Sequence, residues 1–192
     1  MNAAEKKELL KEFEEFLDTK TAVEIKSEYK IGDVIEFTLS TGEEVSAMAM
    51  RQEEDGMLFV FVDCLTDEQP MFKTTRGKKV DYLHSDLRQK LNGEILESFP
   101  DSVKSRMKEM QNGDKLRLLM KEEVFGDKAL EPMKAIRNRI AFQGNGTDRW
   151  EWWWLQDKIE DTASTFAHVN SIGHANLNYA SYSLGVRPAF KI

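Results

Sequence analysis

The chain has 192 residues, a formal net charge of −7 and a sequence pI of about 5.2. That length fits one compact domain with an accessory segment, able to bury roughly 70% of its unfolded surface without a disulfide or structural metal. The negative balance repels phosphate backbones, and the one basic cluster, Lys73, Arg76, Lys78 and Lys79, lacks aromatic partners and reads as a solvated loop, so no nucleic-acid partner is expected.

The first predicted element is an amphipathic helix over residues 1–20. Asn2 with Glu5 has the form of a helix start, and Leu9, Leu10, Phe13, Phe16 and Leu17 follow helical spacing. Its apolar stripe packs on the body of the chain or, alternatively, on a second copy. Glu5, Glu8 and Glu12 interrupt this stretch, so it is not expected to act as a signal peptide. The period then changes. Ile35, Phe37 and Leu39 alternate with polar residues, as do Val45, Ala47 and Ala49, and residues 58–62 form a continuous apolar run. This predicts a three-stranded antiparallel meander with the third strand most buried. That run is far too short to span a bilayer. The lone Cys64 beside it reads as a buried small hydrophobe.

Ser85 is a predicted cap for a helix that carries Leu87 and Leu91 and stops at Gly93. A second helix is expected from Asp101 or Ser102 to Asn112-Gly113, with Val103, Met107 and Met110 inward. Residues 116–120 suggest a short strand, 121–125 a single turn closed by Gly126, and 132–140 another short helix.

The last fifty residues read as β-rich. All four tryptophans fall within Trp150-Glu151-Trp152-Trp153-Trp154, too bulky and short for anything but an extended segment. Alternation puts Trp150, Trp152 and Trp154 on one face and Trp153 on the other, with the core as the favoured place for most of the rings. Residues 165–169 alternate weakly. His174, Asn176 and Asn178 share one face of a half-buried strand, and Ala175, Leu177 and Tyr179 the other. Residues 186–192 are a terminal strand, with Pro188 marking an edge or irregularity.

Four blocks in this order carry a resemblance: Ser85-Asp86-Leu87-Arg88-Gln89-Lys90-Leu91-Asn92, Leu116-Arg117-Leu118-Leu119, Trp153-Trp154-Leu155 and Gly185-Val186-Arg187-Pro188-Ala189. Over residues 30–192 the chain resembles a family of uncharacterised domains of gut bacteria and their phages, with a distant C-type-lectin-like kinship. The family usually continues Arg-Ser after Trp-Trp-Leu, where this chain has Gln156-Asp157. The resemblance implies an α+β, C-type-lectin-like antiparallel sheet with flanking helices, and a cytoplasmic or virion-associated protein. It also implies that the Trp strand and the last strand share the core sheet, while residues 157–183 loop outward as a variable surface.

Cofactor and catalytic signals are lacking. His84, His168 and His174 have no metal-ligand spacing, and Glu131-Pro132-Met133 lacks the amide that calcium-binding lectins of the implied fold use. One cysteine cannot supply the paired-cysteine chemistry of the formylglycine-generating relatives, and no nucleophile elbow or phosphate loop is present. No cofactor and no metal are therefore expected. The expected function is a non-enzymatic module that binds a protein or glycan through Asp157, His174, Asn176, Asn178, Tyr179 and Tyr182. Trp152, Trp154 and Arg187 would serve as structural core. The alternatives are an assembly component that forms a homo-oligomer through the first helix, and an unrecognised hydrolase.

Overall fold

The computed structural model describes residues 28–192; the helix expected over residues 1–20 lies outside them. The meander forms as the alternation predicts: β1 (Val34–Thr38), β2 (Glu44–Glu53) and β3 (Gly56–Phe61) pair antiparallel in sequence order. A distant strand completes this sheet. β11 (Ala189–Lys191) lies antiparallel to β3, with Phe190 opposite Phe59. A second antiparallel sheet contains β7 (Trp153–Lys158), β8 (Thr165–Val169) and β9 (Ala175–Tyr179), in that order. Two short ribbons join β4 (Gln69–Pro70) to β10 (Ser183–Leu184) and β5 (Ala141–Phe142) to β6 (Trp150–Glu151). The fold is α+β, with antiparallel sheets.

The inner strands of both sheets are buried on two faces, which explains the continuous apolar run at β3. Phe59 and Phe61 face one core with Phe37, Trp154, Phe166 and Phe190, whereas Leu58 and Val60 face a second core with Trp153, Leu155, Ala167 and Val169. Successive side chains of a strand point to opposite faces, so a strand between two cores must be apolar at every position. The same reason overturns the expectation that residues 157–183 loop outward as a whole. β8 is buried from Thr165 to Val169, whereas β9, its flanking turns and the turn between β7 and β8 face out.

The first core is capped by α1 (Asp86–Lys90), which runs on into a π-helical turn (Leu91–Ile95). Ser85 Oγ accepts the Arg88 N–H as the predicted N-cap. Gly93 does not stop this helix. The wide turn instead presents Asn92, whose carboxamide accepts Leu116 N–H at 3.0 Å and donates to Leu116 carbonyl at 2.8 Å. Arg88 grips Asp114 through Nε at 2.6 Å and a terminal nitrogen at 2.8 Å. The Ser-x-Leu-Arg-x-x-Leu-Asn block is thus a clamp for the segment after residue 113.

That clamp also explains why residues 116–120 form no strand. Side chains hold their backbone: Tyr82 hydroxyl accepts Leu118 N–H, and Gln156 donates to Leu118 carbonyl. Arg117 alone makes a sheet-like bridge, to Ala189. The helix expected up to Asn112-Gly113 closes after one turn, α2 (Asp101–Lys104), and the one expected over 132–140 is two 3-10 turns, Glu131–Lys134 and Ile136–Asn138. The turn at 121–125 forms as expected, as α3 (Lys121–Val124).

The tryptophan strand and the tail touch but do not share a sheet. Gly185 donates to Trp152 carbonyl and accepts Trp154 N–H, bridging the tail to β7. Pro188 has no N–H to continue that ladder. The tail changes partner there: Pro188 carbonyl accepts Phe61 N–H and β11 joins β3. Arg187 stands at the switch, 2% exposed. Its Nε donates to Phe61 carbonyl at 2.6 Å, a terminal nitrogen donates to Asn138 carbonyl at 2.9 Å, and its Cζ lies over the Trp153 ring, 4.8 Å from the ring centre. Burial pulls this guanidinium down to about 10, so it remains charged at neutral pH.

Replacing Arg187 with Lys keeps the charge but removes the planar fork that reaches two carbonyls and a ring. We expect R187K to lose about 3 kcal/mol in urea unfolding; a midpoint equal to that of the native chain would show that the tie is dispensable.

Candidate functional site

β9 is the free edge of the second sheet, and its hydrogen-bond phase follows from the turns at each end. Asn170 N–H donates to His174 carbonyl, and Ala180 N–H donates to Ser164 carbonyl. In an antiparallel ladder alternate pairs are bonded, so Asn176 and Asn178 face β8 with their backbone groups. The N–H groups of Leu177 and Tyr179 therefore point off the edge. Each is taken by the side chain before it: Asn176 Oδ1 accepts Leu177 N–H at 2.8 Å, and Asn178 Oδ1 accepts Tyr179 N–H at 2.9 Å. This blunts the edge against addition of a further strand. It also fixes both carboxamides with their oxygen turned to the backbone, leaving the NH2 donors to face outward.

The side chains of this strand alternate as predicted, but neither face is half-buried in the way the pattern suggested. Leu177 and Tyr179 are each more than half exposed on one face, as is Tyr182 in the turn that follows. The Tyr179 and Tyr182 rings stack at 6.2 Å between centres. On the opposite face Asn176 stands beside His168, its partner on β8. Trp152 lies over His168, with ring centres 5.3 Å apart and planes 20° from parallel, and Trp154 meets the same imidazole edge-on.

Trp152 corrects an expectation. It shares a face with Trp154 but is 41% exposed, whereas Trp153 and Trp154 are fully buried. β7 lies between two cores, so consecutive residues are buried on opposite faces. Trp153 Nε1 donates to Arg139 carbonyl, and Trp154 Nε1 to Gln69 carbonyl. Trp152 precedes that strand and stacks one side of its ring on His168, with the rest partly open to solvent.

The remaining candidates separate from the edge strand. Asp157 Oδ2 accepts the Lys121 N–H at 2.6 Å, at the start of α3, and burial raises its carboxyl against that bond. His174 is exposed in the turn before β9, its N–H donated to Asn170 Oδ1. Arg187 lies at the crossing of the tail. The structure therefore brings together Asn176, Asn178, Tyr179 and Tyr182 on and beside β9, and leaves Asp157 in a capping role.

Sequence reasoning passed over two groups. His168 is 1% exposed, and neither ring nitrogen meets a hydrogen-bond partner among the described residues. Desolvation alone brings its imidazole down to about 4, so it is neutral at physiological pH. Glu151, between two exposed tryptophans, is 6% exposed, and burial with a neighbouring carboxylate raises it to about 7. One further signal is legible in the sequence: no Asp, Glu, Lys or Arg occurs over residues 162–186, in a chain with 32% charged residues. A neutral stretch that long usually marks a core, yet here it includes the most exposed strand.

Cys64 is buried against Arg187 and Glu151, and desolvation pushes its thiol up, which keeps it protonated. Among the described residues no three His, Cys, Asp or Glu side chains are grouped to hold a metal ion. No described helix is long and apolar enough to cross a membrane.

Residues 114–192 match a domain of unknown function, DUF6273. The DUF6273 match takes in α3, both ribbon strands β5 and β6, the whole second sheet and the tail. It ends on β11, whose sheet partners β1 to β3 lie outside the matched residues. No curated protein and no solved structure matches the chain.

The buried imidazole gives a prediction with a definite sign. Its folded value lies below the ordinary 6.5, so the unfolded chain takes up the proton first and stability falls as pH drops from 6.5 towards 4. Replacing His168 with Phe removes two unpartnered polar atoms. H168F should melt no lower than the native chain at neutral pH, and at acid pH should be more stable by about 1–3 kcal/mol. Parallel melting-temperature profiles for the two proteins across that window would refute this assignment.

Proposed function

We propose that this protein is a non-enzymatic ligand- or receptor-binding module, lectin-like and of gut-bacterial or prophage origin, which holds its target along β9 and the turn that follows. The observation that carries this reading is the exposure of Leu177 and Tyr179 on an edge strand, and of Tyr182 in the turn after it, where the outward Leu177 and Tyr179 N–H groups are already taken by side chains. Large apolar side chains left in water have a cost, and a patch of them on an otherwise acidic surface is characteristic of a contact site. A strand with a blunted edge binds through its faces rather than by adding another strand.

The chemistry of the surface narrows what it would recognise. Two stacked phenol rings offer flat, amphipathic area that loses little conformational entropy on binding. Asn176 and Asn178 contribute outward NH2 donors already fixed by their backbone bonds. No charged residue lies in residues 162–186, so the partner is an uncharged, acceptor-rich face of a protein or a glycan. The lectin-like reading is supported by the return of the last strand to the meander, which leaves a separate sheet to carry the exposed strand. Nothing along β9 pairs a nucleophile with a base, which supports binding without catalysis.

Glycan and peptide arrays probed with the full chain would identify a ligand. Against that ligand, Y179A and Y182A should each weaken binding by roughly tenfold or more, with unchanged melting temperature because both rings are exposed. Ligand affinity equal to that of the native chain in the double variant would remove this surface from consideration.

A further inference from the structure

The dipeptide Asn-Gly occurs three times in the chain, at Asn92-Gly93, Asn112-Gly113 and Asn145-Gly146. With no Cβ to shield it, the glycine nitrogen can close on the preceding side chain and attack its carbonyl carbon. Closure needs a carboxamide that can turn and a backbone nitrogen not bound elsewhere. The fold grants these freedoms unequally. Asn92 Oδ1 accepts the N–H groups of Lys115 at 2.9 Å and Leu116 at 3.0 Å. Its Nδ2 donates to the carbonyls of Arg88 at 3.2 Å and Leu116 at 2.8 Å, so the carboxamide is held at both ends. Asn112 is exposed, but its backbone is set at φ 64° and ψ 20°, and Gly113 N–H donates to Met110 carbonyl at 3.2 Å.

Asn145 differs from both. It lies exposed with Gly146 in the turn between β5 and β6. Among the described residues neither its carboxamide nor the Gly146 N–H has a hydrogen-bond partner. The base of this loop is tied instead: Gly144 N–H donates to Cys64 carbonyl, Gln143 N–H to Arg149 carbonyl, and Thr147 Oγ1 to Gln143 carbonyl.

We propose that Asn145 is a self-modification site, at which the Gly146 nitrogen displaces the side-chain amide and the residue converts to aspartate and isoaspartate. The Gly146 nitrogen gives up its proton to hydroxide and bonds to Asn145 Cγ. The Cγ–Nδ2 bond breaks, and the amide takes up a proton and leaves as ammonia. Water then opens the cyclic imide, at Cγ to give aspartate or at the backbone carbonyl to give isoaspartate. The net change is one water in and one ammonia out. Either product places a negative charge in a cleft already lined by Glu43, Glu44 and Asp67. Arg149, the neighbouring cation, is engaged by Glu68. Isoaspartate also adds a methylene to the main chain of the loop that leads into Trp150. None of this depends on the reading of β9 as a recognition surface.

Incubating the full chain without ligand at mildly alkaline pH, in buffer and in urea, and then mapping its peptides tests the assignment, because the three asparagines fall in separate tryptic peptides. In buffer the Asn145 peptide should gain its acid forms at least about ten times faster than the Asn92 peptide, since Asn92 reacts only through local opening. Asn112 should fall between them. In urea the three rates should converge to within about threefold, because tertiary bonds no longer restrain any of the pairs. Asn145→Gln should abolish the fastest conversion and leave the other two unchanged. An Asn145 peptide that stays unconverted, equal rates at Asn145 and Asn92 in buffer, a faster conversion at Asn112, or the buffer spread persisting in urea would each overturn the proposal.

Discussion

A single buried cation holds the two sheets in register. Among the described residues no carboxylate is bonded to the Arg187 guanidinium; its charge is met by two backbone carbonyls and the face of Trp153. Those partners come from β3, from the 3-10 turn at Ile136–Asn138, and from β7. A desolvated guanidinium is costly unless its donors are used, so the three elements are drawn to one point and the tail must pass between them. Pro188 then ends the contact with β7 and sends the chain to β3. The tryptophan strand and the tail are neighbours through the bridge at Trp153 and Gly185, but in two sheets rather than the one that the resemblance implies.

From that crossing the layering follows. With β3, β11, β7 and β8 all between two cores, their buried side chains are apolar or internally satisfied, except His168, whose ring nitrogens meet no partner among the described residues. Trp153 and Trp154 can then both be buried although they point in opposite directions. The helical elements are short because each only lids one core, and side-chain clamps from Arg88 and Asn92 replace the backbone pairing that a longer strand would supply.

The candidate surface is what this layering leaves over. β9 is third in its sheet and overhangs both cores, so its two faces stay open. Its neutrality has a structural origin in part, since the adjoining β8 is core. On β9 itself the absence of charge has no packing explanation, and together with the carboxamides that guard its edge it gives the surface its character. Trp152 extends this surface on the other face, over an imidazole kept neutral by burial.

Much of the architecture was legible in the order of residues. Alternation at 35–39 and 45–49, the apolar run at 58–62 and the Ser85 cap are local signals, and local periodicity specifies a strand or a helix start wherever the chain places it. The outward surface that the family resemblance implies over residues 157–183 holds for β9, which is exposed. What periodicity cannot express is how many sides of an element will be covered. β8 looked like part of an outward loop because its alternation is weak, and Trp152 looked like core because its neighbours are. The clamp at Asn92 and the guanidinium between the sheets both join residues far apart in sequence. Their energetics exist only once tertiary packing has removed water from around them, and so the structure alone decided them.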